Sequence, residues 1–218
     1  MSMALFIKEL RETWWMGLLA LVAVVSIAFD AVGVDLGPDW RIRFLKLRQS
    51  PFLANDFAFA IGMTAICLGT ALGLWQSISE SVMGTWSFLL HRPIGRSQLI
   101  ATKLAAGMAV LIVGIGLPLL GYLIWALSGA HAAPFEFWMT ENTFRFGMVG
   151  VVAYLAAFLT GIREARIYLS RLWPVVPALL IIAAQEDSWP LAGWCLILSG
   201  IVVFLPAIFF AAEHRDYA

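Results

Sequence analysis

Long apolar stretches alternate with short polar segments along the whole of this 218-residue chain. The hydrocarbon core of a bilayer is about 30 Å thick and requires about 20 residues of α-helix. Six stretches reach or approach that length, the fifth being short: 14–34, 53–77, 104–127, 144–161, 169–184 and 189–212. Because backbone groups in lipid must be satisfied within the segment, each stretch is expected to be helical. The pattern predicts an all-α polytopic membrane protein with six transmembrane helices in a single domain, 1–218.

The composition indicates that lipid is the solvent for most of the chain. Apolar residues make up 61% of it, whereas a soluble domain has about 45–50%. Charged residues make up only 13%, so a soluble globular enzyme is excluded. Fourteen basic residues balance fourteen acidic ones. This neutrality gives no reason to expect a nucleic-acid partner.

The polar residues form no recognisable catalytic, metal-binding or cofactor-binding motif. The sequence contains neither a GxxxxGK phosphate-binding loop nor HExxH nor GxSxG. His91, His131 and His214 lie in predicted loops or in the C-terminal tail, and Cys67 and Cys195 lie within apolar stretches. We therefore expect neither a catalytic residue nor a bound cofactor or metal in this chain.

Basic residues predict that both termini lie in the cytoplasm, where Lys and Arg collect. With an inner N-terminus, nine cations are inside and five are outside. The inner ones are Lys8, Arg11, Arg92, Arg96, Lys103, Arg163, Arg166, Arg171 and Arg215; the outer ones are Arg41, Arg43, Lys46, Arg48 and Arg145.

Residues 1–13 have the pattern of a short amphipathic helix. Met3, Ile7, Leu10 and Trp14 share one face at helical spacing. The charged residues fall largely opposite: Lys8, Glu9, Arg11 and Glu12. Such a helix is expected to lie along the membrane surface before the chain turns into the first span. It would serve either as a plain anchor or as a docking surface.

The second predicted helix has one face of small residues at steps of three or four. These are Ala58, Gly62, Ala65, Gly69 and Gly73. Small residues allow another membrane helix to approach closely. We expect this face to pack either against another helix of the same chain or against a second subunit.

Two acidic residues lie at the predicted outer surface, Asp30 at the end of the first helix and Asp56 at the start of the second. One interpretation is that they pair with Arg41, Arg43 or Lys46 and order the outer loop. The alternative is an outer gate or a cation-binding pair.

The segment 80–103 between the second and third spans is the most informative part of the chain. It predicts a short helix over 81–90, a break at Arg92-Pro93, and a second helix that begins near Ser97 and continues through Lys103 into the third span. Clustered basic residues and an apolar edge suit a protein partner or anionic headgroups.

This segment resembles the corresponding loop of the ABC type-2 transporter permease family. In that family a Glu, a Gly-Thr pair and a Pro-Ile/Val-Ser-Arg turn followed by Lys mark the loop after the second helix. The matching residues here are Glu80, Gly84, Thr85, Leu89, Leu90, Arg92, Pro93, Ile94, Arg96 and Lys103, with Gly95 where Ser is commoner. Six helices and an N-terminal amphipathic helix fit the family across the whole chain.

The resemblance implies the membrane subunit of an ATP-driven exporter in the bacterial inner membrane. Two cytoplasmic ATPase subunits would bind ATP and Mg, and a second permease copy or a paralogue would complete the dimer. Segment 80–103 would act as a coupling helix through Glu80, Gly84, Thr85, Leu89, Arg92, Pro93, Arg96 and Lys103. The family often has a re-entrant outer segment before the last helix. The alternative to a permease is a membrane scaffold that docks a partner without ATPase activity.

Overall fold

Every regular element in the described part of the chain is helical. The computed structural model describes residues 3–32, 52–53, 55–82, 95–128, 135–163, 172–185 and 189–214. In chain order the elements are α1 (Met3–Val32), α2 (Asn55–Val82), α3 (Arg96–Leu111), a π-helical turn (Ile112–Gly116), α4 (Leu117–Leu127), a 3-10 turn (Phe137–Thr140), α5 (Glu141–Ile162), α6 (Val175–Ala183) and α7 (Pro190–Glu213).

Five helical segments within these ranges are long and apolar enough to cross a membrane. They are Met3–Val32, Asp56–Ser79, Arg96–Leu127, Phe137–Ile162 and Pro190–Glu213. Five of the six predicted helices are thus present, and the chain is a helical membrane protein. The fifth predicted helix, 169–184, corresponds to the nine-residue α6, and its first three residues, 169–171, lie outside the described part of the chain. At 1.5 Å per residue α6 rises about 14 Å, less than half of the hydrocarbon thickness.

The first span and the predicted interfacial helix form one continuous helix, in contrast to the prediction of a turn near residue 13. Between Met3 and Met16 the sequence has neither Gly nor Pro, so nothing interrupts α1. The predicted apolar face is also reversed. Ile7 and Trp14 are exposed, whereas Glu9 and Thr13 are buried. In lipid, apolar side chains face outward and polar ones face the bundle, because the surroundings are themselves apolar.

Helix α5 lies at the centre of the bundle, and 83% of the most apolar 18-residue stretch of Phe137–Ile162 is buried. It packs most extensively against α2, whose small residues face it. A Cβ atom on Gly73 would lie 2.5 Å from the carbonyl oxygen of Tyr154, and one on Gly150 would lie 2.7 Å from that of Ala65. On Gly69 it would overlap the carbonyl oxygen of Gly150. The small-residue face is therefore confirmed, and it packs within the chain.

A π-helical turn interrupts the third span at Ile112–Gly116. Pro118 follows it and has no N–H to donate to the carbonyl one turn earlier, which favours a widened turn at this point. Gly114 in this turn faces α1, where an added Cβ would lie 3.2 Å from the carbonyl oxygen of Gly17. The irregular turn thus lies at a close contact between the first and third spans.

The contacts divide the bundle into two ends. At one end the start of α1, the end of α2 and the start of α3 meet, since Lys103 contacts both Glu9 and Gln76. The end of α7 joins them, because Arg96 donates a hydrogen bond to the carbonyl oxygen of Glu213 at 3.1 Å. We call this the loop end, because residues 83–94 connect α2 and α3 here. The opposite end, where α5 begins and α7 begins, is called the far end.

Candidate functional site

A cluster of buried polar side chains at the loop end joins four helices. Glu9 comes from the second turn of α1, Gln76 from the last turns of α2, Lys103 from the second turn of α3, and Tyr154 from the middle of α5. We call these four residues the polar cluster. Each of them is nearly or fully buried. In a protein whose surroundings are lipid, such residues mark a functional site by default.

An ion pair forms the centre of the polar cluster. Lys103 Nζ lies 2.9 Å from Glu9 Oε1, and the two side chains are only 3% and 4% exposed. Removing both charges from water is costly, so such a pair persists only with good geometry and further hydrogen bonds. Lys103 Nζ also donates to the carbonyl oxygen of Gln76 at 3.4 Å, and Thr13 Oγ1 donates to the carbonyl oxygen of Glu9 at 2.8 Å.

Gln76 and Tyr154 tie the ion pair to the rest of the bundle. Gln76 Nε2 donates to the carbonyl oxygen of Lys103 at 3.3 Å, which makes the α2–α3 contact reciprocal. The phenol oxygen of Tyr154 donates to Gln76 Oε1 at 2.8 Å and lies 3.4 Å from the same Lys103 carbonyl oxygen. The absence of a side chain at Gly107 provides room for the phenol, which a Cβ there would overlap.

The polar cluster therefore closes the base of the segment between α2 and α3. Gln76 precedes residues 83–94 and Lys103 follows them, so the two helices that flank this segment are held to each other. Through Glu9 the same pair is held to α1, and through Tyr154 to α5. A displacement of the segment would be transmitted to α1 and α5, because buried hydrogen-bonded pairs resist separation.

Only some of the predicted coupling residues lie in the described part of the chain. Gly84, Thr85, Leu89, Arg92 and Pro93 lie outside the described residues, as does the predicted short helix over 81–90 beyond Val82. Glu80 lies on the last turn of α2.

Arg96 and Lys103 are both described, and they have different environments. Arg96 is exposed at the start of α3, one residue before the predicted start at Ser97, and reaches Glu213. Lys103 is only 2% exposed. The prediction that Lys103 presents its charge to a partner is therefore wrong, because Glu9 and the surrounding helices enclose the ammonium group.

Of the remaining predicted residues, Gly69 and Gly73 lie against the backbone of Tyr154. Gly62, Asp30 and Asp56 lie about four to six helical turns from the polar-cluster residues of their own helices, at about 3.6 residues per turn. Gly62 faces the ring of Phe146 on α5 and belongs to the α2–α5 contact with the other small residues. Asp30 and Asp56 are both exposed, in the last turn of α1 and the first turn of α2. Their expected basic partners, at positions 41, 43 and 46, lie outside the described residues, so the two interpretations of these acids stay predictions.

The sequence pattern does not predict two members of the polar cluster, Gln76 and Tyr154, and it places Glu9 among the charged residues opposite the apolar face of the N-terminal helix. One signal could have identified Gln76. It lies three residues beyond Gly73, so it continues the small-residue face that was already expected to be buried. Tyr154 has no comparable signal, since its neighbours on α5 are apolar in every direction.

A second buried polar group lies at the far end. Arg145 was expected in the outer region, and it is only 6% exposed in the first turns of α5. Its Nη2 atom lies 2.9 Å from Asn142 Oδ1 and 3.2 Å from the carbonyl oxygen of Gln185. Gly193 at the start of α7 leaves room for the guanidinium stem, 2.8 Å from where a Cβ would be. This group joins α5 to both later helices.

Within the described ranges, no three His, Cys, Asp or Glu side chains lie close enough together to hold a metal ion. Comparison with known proteins adds no assignment: no family model, no curated protein and no solved structure matches this chain.

Proposed function

We propose that this chain is the membrane-spanning permease subunit of an ATP-binding-cassette exporter. In this proposal separate cytoplasmic ATPase subunits bind ATP and Mg, and they act on the chain through residues 80–103. A second permease copy or a paralogue completes the transporter. The observation that supports the proposal best is the polar cluster, which joins both helices that flank this segment to α1 and α5.

The polar cluster gives the proposal a mechanical route. A movement of α2 or α3 would act on the other helix through the reciprocal contact of Gln76 and Lys103. It would act on α1 through the 2.9 Å ion pair. Packed helices change between discrete arrangements rather than deforming continuously. ATP binding in the partner would thus shift the bundle between an inward-open and an outward-open state by its differential contacts with each.

The contacts of α6 support six crossings with both termini on one side. Trp173 precedes α6 and lines the same cavity as His214, at the loop end. Gln185 follows α6 and contacts Arg145, at the far end. In this proposal segment 172–185 is the sixth crossing and runs from the loop end to the far end, although its helix is short. The proposal takes the loop end to be cytoplasmic, as the excess of basic residues predicts.

Co-purification tests the proposal directly. The full-length protein, tagged and extracted in a mild detergent from its native membrane, is expected to retain a soluble protein with a Walker-type nucleotide site, identified by mass spectrometry. The rate of ATP hydrolysis by that complex should be higher than the rate of the isolated ATPase, or it should depend on ATP concentration in a different way. Recovery of a stable companion that lacks a nucleotide site would overturn the proposal in favour of a membrane scaffold.

Charge reversal at Arg92 tests the proposed docking segment. Arg92→Glu is expected to lower recovery of the ATPase, whereas Arg11→Glu, at an exposed residue of α1 near the same end, should leave it unchanged. Gly84→Cys in a cysteine-free background tests the orientation. Labelling of that cysteine by an impermeant maleimide from the outside of intact cells would place the segment on the wrong side for any cytoplasmic ATPase.

A further inference from the structure

A cavity of about 670 Å³ lies at the loop end between the end of α5, the start of α6 and the second half of α7. It is separate from the polar cluster, with which it shares no residue. Among the described residues its lining consists of Leu159, Arg163, Trp173, Pro174, Pro177, Val203, Phe204, Pro206, Ala207, Phe210, Ala211 and His214. We call it the α5–α7 cavity. Its volume is that of a typical small-molecule site.

The lining of the α5–α7 cavity is amphipathic. Ten of its twelve lining side chains are apolar, and the two that are not, Arg163 and His214, are the residues that cap the C-terminal ends of α5 and α7. Both are exposed. Apolar surface thus extends along the helices, and a cationic rim lies where the helices end. A ligand that matches both parts has an apolar chain and an anionic head.

The positive charge at this rim comes from side chains and not from the backbone. Helix C-termini present carbonyl groups, which repel anions. His214 Nδ1 lies 3.0 Å from the carbonyl oxygen of Phe210, and since a carbonyl only accepts, this nitrogen carries the proton. Arg163, whose guanidinium has several N–H donors and no acceptor, is the side chain at this rim that best suits an anion.

Exposed residues relate the α5–α7 cavity to the membrane. Trp173 lines the cavity and is 63% exposed, and Trp is typical of the headgroup level. Val203 and Phe210 line the cavity and are themselves largely exposed on α7, which crosses the membrane. The cavity is therefore open toward the lipid-facing surface, and its charged rim is at headgroup level.

From this geometry we propose that the α5–α7 cavity binds an anionic phospholipid of the leaflet at the loop end. One acyl chain occupies the apolar part, between Pro177 and Ala207, and the phosphate contacts the Arg163 guanidinium. Arginine is well suited to this role because its planar fork matches phosphate oxygens. This site does not depend on the permease proposal, since it requires only that the helices lie in a bilayer.

Two variants separate the acyl part of the site from the headgroup part. Ala207→Trp fills the cavity, and Ala192→Trp is its control, at an exposed position on the same helix that does not line the cavity. Arg163→Gln removes the rim charge, and Arg11→Gln removes one exposed cation from α1 at the same end. The glutamine variants change surface residues, so they retain a readout even where the tryptophan variant fails to fold.

The measurement is the number of lipids retained per protein by native mass spectrometry. The protein is exchanged into detergent micelles that contain either phosphatidylglycerol or phosphatidylcholine with the same acyl chains. The unmodified protein should retain phosphatidylglycerol preferentially. Arg163→Gln should lower that preference about five-fold, since one cation near the surface contributes roughly that factor. Ala207→Trp should abolish retention of both lipids, and both controls should behave like the unmodified protein.

Three results would overturn the proposal. Equal retention of the two lipids by the unmodified protein would remove the headgroup preference. Unchanged retention in a folded Ala207→Trp protein would place the acyl chain elsewhere. An equal loss of preference in Arg163→Gln and Arg11→Gln would show that only the general positive charge of this end attracts the lipid.

Discussion

Breaking the buried ion pair between Lys103 and Glu9 tests the polar cluster most sharply. In Lys103→Met, Glu9 keeps its carboxylate at a position that is 4% exposed and loses the ammonium group 2.9 Å away. Removing one partner of a buried pair costs about 3–5 kcal/mol, because the remaining charge is buried without compensation. We expect Lys103→Met to lower the free energy of unfolding by that amount.

The chain provides a matched control on α1, the helix that carries Glu9. Lys8 and Glu12 form an ion pair at 3.6 Å, with side chains 44% and 42% exposed. Exposed pairs of this kind contribute about 0–1 kcal/mol. Lys8→Met is therefore expected to have little effect, although it removes the same chemical group as Lys103→Met.

A double variant distinguishes a lost pair from lost packing. Replacing both partners of a buried pair with apolar residues is often neutral or stabilising. Glu9→Leu combined with Lys103→Met should therefore recover most of the stability that Lys103→Met alone loses. Unfolding is measured by SDS titration in mixed micelles, with far-UV circular dichroism as the signal.

Two results would refute this reasoning. One is a loss in Lys103→Met no larger than that in Lys8→Met, which would show that water or another group stabilises Glu9. The other is a double variant whose loss equals the sum of the two single losses, because additive effects indicate that the two side chains do not interact.

Three further predictions follow from the described packing. Gly69→Leu should lower the free energy of unfolding by about 1–3 kcal/mol or more, because the leucine side chain would meet the backbone of α5. The control Ala71→Leu, on the exposed face of α2, should change it by less than about 0.5 kcal/mol. Equal effects of the two variants in the same SDS titration would contradict the small-residue contact. Tyr154→Phe should cost about 1–3 kcal/mol, since it leaves a buried amide oxygen without its donor, and a change near zero in that titration would show that the hydrogen bond is not formed. Cys67, exposed in the middle of α2, should not react with an impermeant maleimide in intact membranes of a Cys195→Ala protein but should react in SDS; labelling before SDS would show that α2 is not in lipid.

Most of the fold was accessible from the chain alone, because its helices are long and their signals are local. The second predicted helix, 53–77, and the fourth, 144–161, agree with α2 and α5 to within a few residues at most ends. The spacing from Gly62 to Gly73 also correctly predicted a packed face. The prediction was least accurate for the fifth helix, because of a proline. Helix α6 begins directly after Pro174, although the apolar stretch begins earlier.

The candidate site was accessible only in part, and the reason is physical. Lys103 was identified as an important residue from its position in the segment, but its environment was misjudged. A charged residue near the end of an apolar stretch looks the same in sequence whether it faces water or a partner inside the bundle. Helices α1, α2 and α3 extend beyond their apolar stretches. These extra turns bring the charged residues into contact inside the bundle, and the sequence does not show that contact.

The amino-acid sequence by itself determined that this protein lies in a membrane, which segments are helical, and which face of α2 another helix approaches. These properties depend on composition and on residues three or four positions apart. The tertiary structure alone decided that Glu9 meets Lys103, 94 positions along the chain, and that Tyr154 completes their hydrogen bonds. Such pairings depend on how whole helices cross, and no local period of the sequence encodes the crossing.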